Sequence, residues 1–252
     1  MQHIRLRIAY DGTDYGGIQI QNNSVTIQEE LEKALFKIYK EIIRVTVAGR
    51  TDSGVHARGQ VVNYSAKGEL PVDRICWALN SVLPQDIVAW EAVRVNENFH
   101  SSYDAVSKVY SYTIDTARFI QVLRRRYAWH CSEPLDIFLM QKGAKIIEGR
   151  HDFKVFQGSK SVVKTTVRTI YNIKVEPNER EELIYITVEG DGFLYKMVRF
   201  ICGALVEIGK GTICEYTLED ALKKGGEERI APALPAKGLC LEQVNYTSFA
   251  AQ

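Results

Sequence analysis

The string Ala48-Gly49-Arg50-Thr51-Asp52-Ser53-Gly54-Val55-His56-Ala57 places one carboxylate in a short segment, with a guanidinium two residues before it and a glycine on each side. A carboxylate held in a loop can serve as a nucleophile or a base. Glycine permits backbone angles that other residues avoid, so the segment can turn sharply and approach a ligand closely. The flanking runs, residues 42–47 and 61–64, are short and rich in β-branched residues, and both read as strands. A bare Asp-Ser-Gly is most often only a turn, although loops carry a disproportionate share of function.

Other polar groups narrow the chemistry. His56, His100, His130 and His151 are dispersed, without cysteine partners at ligand spacing, so no metal site is expected. The glycine-rich start, Tyr10-Asp11-Gly12-Thr13-Asp14-Tyr15-Gly16-Gly17, lacks both the Lys-Ser/Thr ending of a phosphate loop and the G-x-G-x-x-G spacing of a dinucleotide loop. It is expected to form a turn and a forward loop. The densest cationic run is Arg124-Arg125-Arg126, with Tyr127 and Trp129 alongside. Lys154, Lys160, Lys164 and Arg168 surround a stretch containing Gly and Ser. Either cluster reads as a solvated face or as a surface for phosphates. The net charge of the 252 residues is only +1, so any nucleic-acid surface must come from such local clustering.

The 46% hydrophobic content supports a real core, in one large or two small domains. Cys76, Cys131, Cys202, Cys214 and Cys240 are odd in number and include no Cys-x-x-Cys, which reads as reduced thiols in a cytoplasmic protein. No secretory hydrophobic region follows Met1, and no apolar run approaches membrane-spanning length.

The elements that must position these groups follow a repeated pattern. Residues 4–10 alternate as a strand. Residues 26–40 read as a helix with Ile27, Leu31, Leu35 and Ile38 on one face and Thr26 with Glu29 as a capping box. Two strands flank the Asp52 loop, Pro71 opens a helix over residues 71–83, and residues 87–95 close as a strand. The second half repeats the order: a strand over 109–115 with Tyr110, Tyr112 and Ile114 on one face, a helix over 134–148, strands over 167–175 and 183–189, an apolar helix over 194–208, a short helix near 218–223 and a strand over 239–246. Each half is β-α-β-β-α-β, which predicts an α+β protein of two tandem ferredoxin-like units, residues 1–104 and 105–252, with a hinge near residues 97–107. The repeat is one of pattern, without residue identity between the halves. On the helix over 194–208, Lys196, Arg199 and Gly203 share a face beside the apolar stripe of Met197, Val198, Ile201, Leu205 and Ile208, and on spacing alone Arg199 reads as a surface arginine.

The Asp52 string resembles the active-site signature of the tRNA pseudouridine synthase A (TruA) family. The resemblance extends, in order, through Tyr10-Asp11-Gly12-Thr13, Tyr15, Gly17, Gln19 and Gln21, through Thr26-Ile27-Gln28-Glu29-Glu30-Leu31-Glu32, Leu83-Pro84, Phe99-His100 and Lys108-Val109-Tyr110-Ser111-Tyr112, and on through Gly149-Arg150-His151-Asp152-Phe153, Val167-Arg168-Thr169-Ile170, the segment from Phe193 to Arg199, and Gly238-Leu239. It therefore covers nearly the whole chain. The chain departs from the family pattern at Ile18, where an aromatic residue is usual, and at Ser101-Ser102, where an arginine is frequent.

The resemblance implies that the two halves join in one mostly antiparallel sheet with helices packed on one face, and that a catalytic cleft runs between them. It implies isomerisation of uridine to pseudouridine in the tRNA anticodon stem-loop, at positions 38, 39 and 40, by a homodimer. That reaction breaks the N-glycosidic bond, turns the freed uracil and bonds its C5 to C1′. No group is exchanged with another molecule and no oxidation state changes, so no cofactor is expected. By resemblance Asp52 is the catalytic carboxylate, and attack on C1′, addition to the base and removal of a sugar proton all remain open for it. Attack on C1′ would parallel a retaining glycosidase, but the motif supplies a single carboxylate, which suits a leaving uracil that is kept and reused. The matched Tyr195-Lys196-Met197-Val198-Arg199 string assigns Arg199 as the cation that keeps Asp52 ionised against the effect of burial. Tyr110, otherwise an ordinary aromatic of a strand, is assigned to stack on the target base and to help remove its C5 proton. Arg50 and Leu239 are expected beside the substrate. Arg124, Arg125, Arg126, Lys154, Lys164 and Arg168 are expected on the RNA backbone. Two competing readings are a non-catalytic RNA-binding module and a pseudouridine synthase of another RNA.

Overall fold

The computed structural model describes residues 1–159, 163–226 and 228–247. Lys160 lies outside the described residues. The chain forms two compact units: Met1–Val106 together with the chain from Cys240 onward, and Ser107–Leu239. The last strand, from Cys240, belongs with the first unit by its contacts.

In the first unit, β1 (Gln2–Tyr10) alternates, with Ile4, Leu6 and Ile8 fully buried and Arg5 and Arg7 on the opposite face. It lies between β3 (His56–Ala66) and β4 (Ile87–Arg94), antiparallel to both. Helix α1 (Ile27–Tyr39) buries Ile27, Leu31, Ala34 and Leu35. Its capping box is half formed. The Thr26 side chain accepts the Glu29 N–H at 3.3 Å, while the Glu29 carboxylate reaches forward to Lys33 at 2.7 Å.

The strand expected over residues 42–47 contracts to β2 (Thr46–Val47), which pairs with Asn63 and Val62 of β3. Glu32 explains the loss. Its carboxylate takes the Val45 N–H at 3.2 Å and pairs with Arg44, so a side chain occupies a donor that a strand neighbour would otherwise take. Helix α2 (Val72–Asn80) starts one residue after Pro71, which caps it, and packs against β4 and α1. Asn80 ends it by pairing with the backbone of Ala89, donating at 2.9 Å and accepting at 2.8 Å.

The last strand, β10 (Leu239–Tyr246), runs parallel to the start of β3, pairing Cys240 with His56 and Leu241 with Ala57. The register needs Gly59. A Cβ there would lie 2.2 Å from the Glu242 carbonyl oxygen.

The second unit carries β5 (Ala105–Asp115), which enters it at Ser107. Next come β6 (Trp129–His130), α3 (Ile137–Ile147), β7 (Gly149–Asp152), β8 (Val167–Asn178), β9 (Leu183–Gly190), α4 (Met197–Gly209) and α5 (Glu215–Lys224). Its strands run antiparallel in the order β5-β9-β8-β7, with β6 parallel to β5. Strand β7, absent from the sequence reading, is Gly-Arg-His-Asp and has no apolar alternation; pairing with β8 makes it a strand. Helix α4 is buried almost all round. It begins at Met197 because residues 194–197 close a turn through Lys196, whose φ is 60°. The fold is α+β with mostly antiparallel strands.

Candidate active site

Asp52 occupies a turn closed by the Val55 N–H on the Asp52 carbonyl at 3.1 Å, with Gly54 at φ 77°. The residue is half-buried and Arg50 beside it is exposed. Both flanks of the turn are held. Upstream, the Thr51 hydroxyl bonds the Tyr10 hydroxyl at 2.7 Å, Gln60 donates to the Gly49 carbonyl at 2.8 Å and lies 3.4 Å from the Tyr10 oxygen, and Ile18 donates to the Thr51 carbonyl at 3.2 Å. Gln60 is fully buried, Tyr10 and Thr51 nearly so. Burial pushes the Tyr10 phenol up to about 12, against the opposing pull of Thr51 and Gln60, so it keeps its proton at neutral pH. Downstream, the Gly12 N–H donates to His56 Nδ1 at 3.1 Å, and Ser53 donates to the Tyr15 carbonyl at 3.1 Å.

The residue 10–17 segment is therefore the brace of the Asp52 loop, a role its composition does not announce. Its glycines are required by contact. A Cβ on Gly12 would lie 2.0 Å from the Val55 carbonyl oxygen, and one on Gly17, whose φ is 99°, 2.6 Å from that of Thr51.

In the second unit, Tyr110, Tyr112 and Ile114 of β5 share the buried face, as their alternation predicts. The Tyr110 ring meets the edge of Phe193, centroids 5.1 Å apart at 84°. Tyr112 donates to the Pro235 carbonyl at 2.8 Å, and its ring fills the space that the missing side chain of Gly238 leaves. Arg199, half-buried on α4, donates from Nε to the Leu234 carbonyl at 2.7 Å and accepts the Leu234 N–H at its own carbonyl at 3.1 Å. Its charge partly offsets the upward push of burial on the Tyr112 phenol. The segment 232–239 thus ties Arg199, Tyr112 and the buried Leu239 into one cluster, two residues along β5 from Tyr110. Gly203 lets it seat, since a Cβ there would lie 2.0 Å from the Pro232 carbonyl oxygen.

Of the basic candidates, Arg125, Arg126 and Lys164 are exposed and Arg124, Lys154 and Arg168 half-buried. Arg124 gives one donor to the Glu181 carbonyl, and Arg125 one to that of Val122 at 3.0 Å. The histidines hold backbone. His130 Nε2 lies 2.8 Å from the Ala117 carbonyl, His151 Nε2 lies 2.9 Å from that of Glu148, and His100 Nδ1 accepts from Ser102 and Tyr103. Among the described residues no group of three or more His, Cys, Asp or Glu side chains is placed to hold a metal ion, and no helix is long and apolar enough to cross a membrane.

Residues 7–104 and 144–247 match the family model described as tRNA pseudouridine synthase. Proteins called tRNA pseudouridine synthase A are similar along nearly the whole chain. That of Moorella thermoacetica is 43% identical over 248 residues, 98% of this chain and 100% of its own length. That of Halalkalibacterium halodurans is 44% identical over 249 residues, covering 98% and 94%. That of Brevibacillus brevis is 42% identical over 246 residues, covering 98% and 100%.

Proposed function

The chain belongs to the tRNA pseudouridine synthase family, and from that premise we propose that it isomerises uridine to pseudouridine at positions 38, 39 and 40 of the tRNA anticodon stem-loop. The observation that carries the proposal is the Asp52 loop, a half-buried carboxylate on a turn whose two flanks are fixed by buried hydrogen bonds. A carboxylate so held loses little orientational freedom when substrate arrives.

The proposed mechanism gives each group one task. The target nucleotide leaves the stack, at a cost of a few kcal/mol that backbone contacts offset. Asp52 acts at the ribose or the base while the bond from N1 to C1′ breaks. The uracil turns, its C5 bonds to C1′, N1 gains a proton and C5 loses one. Arg199 keeps Asp52 ionised. Tyr110 supplies the stacking surface, worth about 1–3 kcal/mol per base, and its hydroxyl assists the late loss of the C5 proton. Arg50 and Leu239 contact the substrate. Arg124, Arg125, Arg126, Lys154, Lys164 and Arg168 face RNA phosphates. The protein works as a cytoplasmic homodimer without metal or cofactor.

The test is direct. Purified protein is incubated with a tRNA transcript carrying uridines at those three positions, and pseudouridine is mapped by base-specific chemistry. Total RNA from cells with and without the protein is mapped in parallel. Product confined to the anticodon stem-loop supports the reading. Product only in another RNA, or none, overturns it.

Two substitutions bear on the assigned roles. Tyr110→Phe is expected to bind RNA within about threefold of wild type, because the ring is kept, and to slow turnover by about 10²-fold through the late proton step. Normal turnover with weakened binding would reverse that assignment. Arg199→Ala is expected to lower kcat by about 10²–10³-fold in a folded protein. It also leaves the Leu234 carbonyl without its Nε donor, at a cost of about 1–3 kcal/mol in stability. Near-normal kcat in a folded variant would remove Arg199 from the reaction.

A further inference from the structure

Lys108 lies on the same face of β5 as Tyr110, two residues or roughly 7 Å along the strand from it. It is half-buried, yet its ammonium has no hydrogen-bond or ion-pair partner among the described residues. Opposite it on β9 stands Gly190, where a Cβ would lie 2.9 Å from the Thr169 carbonyl oxygen and 3.3 Å from the Phe193 ring. The chain then continues through Asp191 and Gly192 to Phe193, whose ring meets Tyr110.

Arg168 of β8 borders the same segment, its Nε 3.6 Å from where a Cβ on Gly192 would stand. Arg168 gives one nitrogen to the carbonyls of Thr165 and Val167 and has no carboxylate partner among the described residues. The nearby carboxylate, Asp191, accepts the Thr169 N–H at 3.0 Å and forms no ion pair with either cation. Two cations thus border this segment, and Asp191 is the carboxylate whose charge reaches Lys108.

We propose that Lys108 and Arg168 form one phosphate-binding pair that grips the RNA backbone beside the nucleotide stacked on Tyr110. The inference rests on the reading of the chain as an RNA-modifying enzyme. A half-buried ammonium next to a guanidinium is a costly arrangement in the free protein, and an anion placed between them relieves it. Consistent with this, burial and the Arg168 charge push the Lys108 ammonium below the ordinary lysine range, and Asp191 offsets only part of the shift. The resemblance marks the string Lys108-Val109-Tyr110-Ser111-Tyr112 without giving the lysine a task; the pair gives it one.

The experiment measures binding of a synthetic anticodon stem-loop RNA over a range of salt, with the full-length protein. Lys108→Gln and Arg168→Gln are each expected to weaken binding about tenfold, and the slope of log affinity against log salt is expected to fall by about 1. The double variant is expected to lose little more than either single one, because both groups hold one phosphate. A neutral methylphosphonate is then walked through the RNA. At one linkage beside the target it should weaken wild type about tenfold and leave Lys108→Gln unaffected. Lys108→Arg should restore most of the binding, which separates a lost contact from a damaged fold, and in turnover the loss should fall mainly on KM.

Binding by Lys108→Gln within twofold of wild type, with an unchanged slope, overturns the pair. So does a neutral linkage that weakens wild type and variant alike at every position. Wild-type pseudouridine formation is scored on the same RNA. Its absence overturns the enzymatic reading, whereas normal wild-type turnover with normal binding by the variants overturns only the phosphate pair.

Discussion

Asp52→Asn is expected to lower pseudouridine formation by about 10⁴-fold or more, with RNA affinity within about threefold of wild type. The two side chains are nearly isosteric. The turn that carries residue 52 is closed by its backbone carbonyl, and the flanks are held by Thr51, Gln60, Gly12 and Ser53, all of which the substitution leaves in place. What the amide removes is the negative charge and the nucleophilic oxygen. The variant should melt within a few degrees of wild type, since a half-buried polar exchange of this kind costs about 1 kcal/mol or less. Single-turnover assays with RNA in excess of its dissociation constant isolate the chemical step. Turnover within tenfold of wild type would leave the protein a pseudouridine synthase by family only, with its catalytic group elsewhere.

Gly12→Ala is expected to damage both stability and activity. The new methyl group would fall 2.0 Å from the Val55 carbonyl oxygen and 2.7 Å from its carbon, and both contacts are to backbone. No rotamer change relieves that overlap, so either the Asp52 loop or the end of β1 must move. Overpacking of this kind costs about 1–3 kcal/mol and occasionally more. For a chain of this length each kcal/mol lowers Tm by about 2–4 °C.

Activity should fall further than stability, by about 10²-fold at temperatures where the variant is fully folded, because a displacement of about 1 Å at the reacting group is enough. Gly226→Ala serves as the control. Among the described residues a Cβ there meets only the Glu228 nitrogen, at 4.0 Å, and the variant should match wild type in both assays. Unchanged kcat in Gly12→Ala would mean that the brace does not position Asp52.

The two substitutions probe parts of the site that were unequally legible in the sequence. Asp52, Tyr110 and Arg199 stand in ordered strings, and the elements carrying them follow from periodicity. β1, α1 and β9 alternate or recur as their core faces require. The brace was not legible. Tyr10, Thr51 and Gln60 meet across intervals of 41 and 50 residues, and nothing local to any of them encodes the meeting. A buried glutamine at the start of the apolar run 61–64 was the available signal. Strand β7 is likewise made by its partner β8 and not by its own residues, and β2 is shortened by a glutamate on α1. Helix α4 misled in the other direction. Its apolar content extends back to Leu194, but a left-handed Lys196 holds those residues in a turn. The pairing of β10 with β3 joins residues far apart in the chain, and parallel contacts of that range leave no trace in a local window.

That pairing has a consequence for how the protein comes into being. On the ribosome, the strand that follows the Asp52 loop is synthesised early, yet the neighbour of His56 and Ala57 emerges much later. The whole of the second unit is translated in between. A nascent chain therefore carries the Asp52 loop beside an incompletely paired strand edge until the second unit has been made.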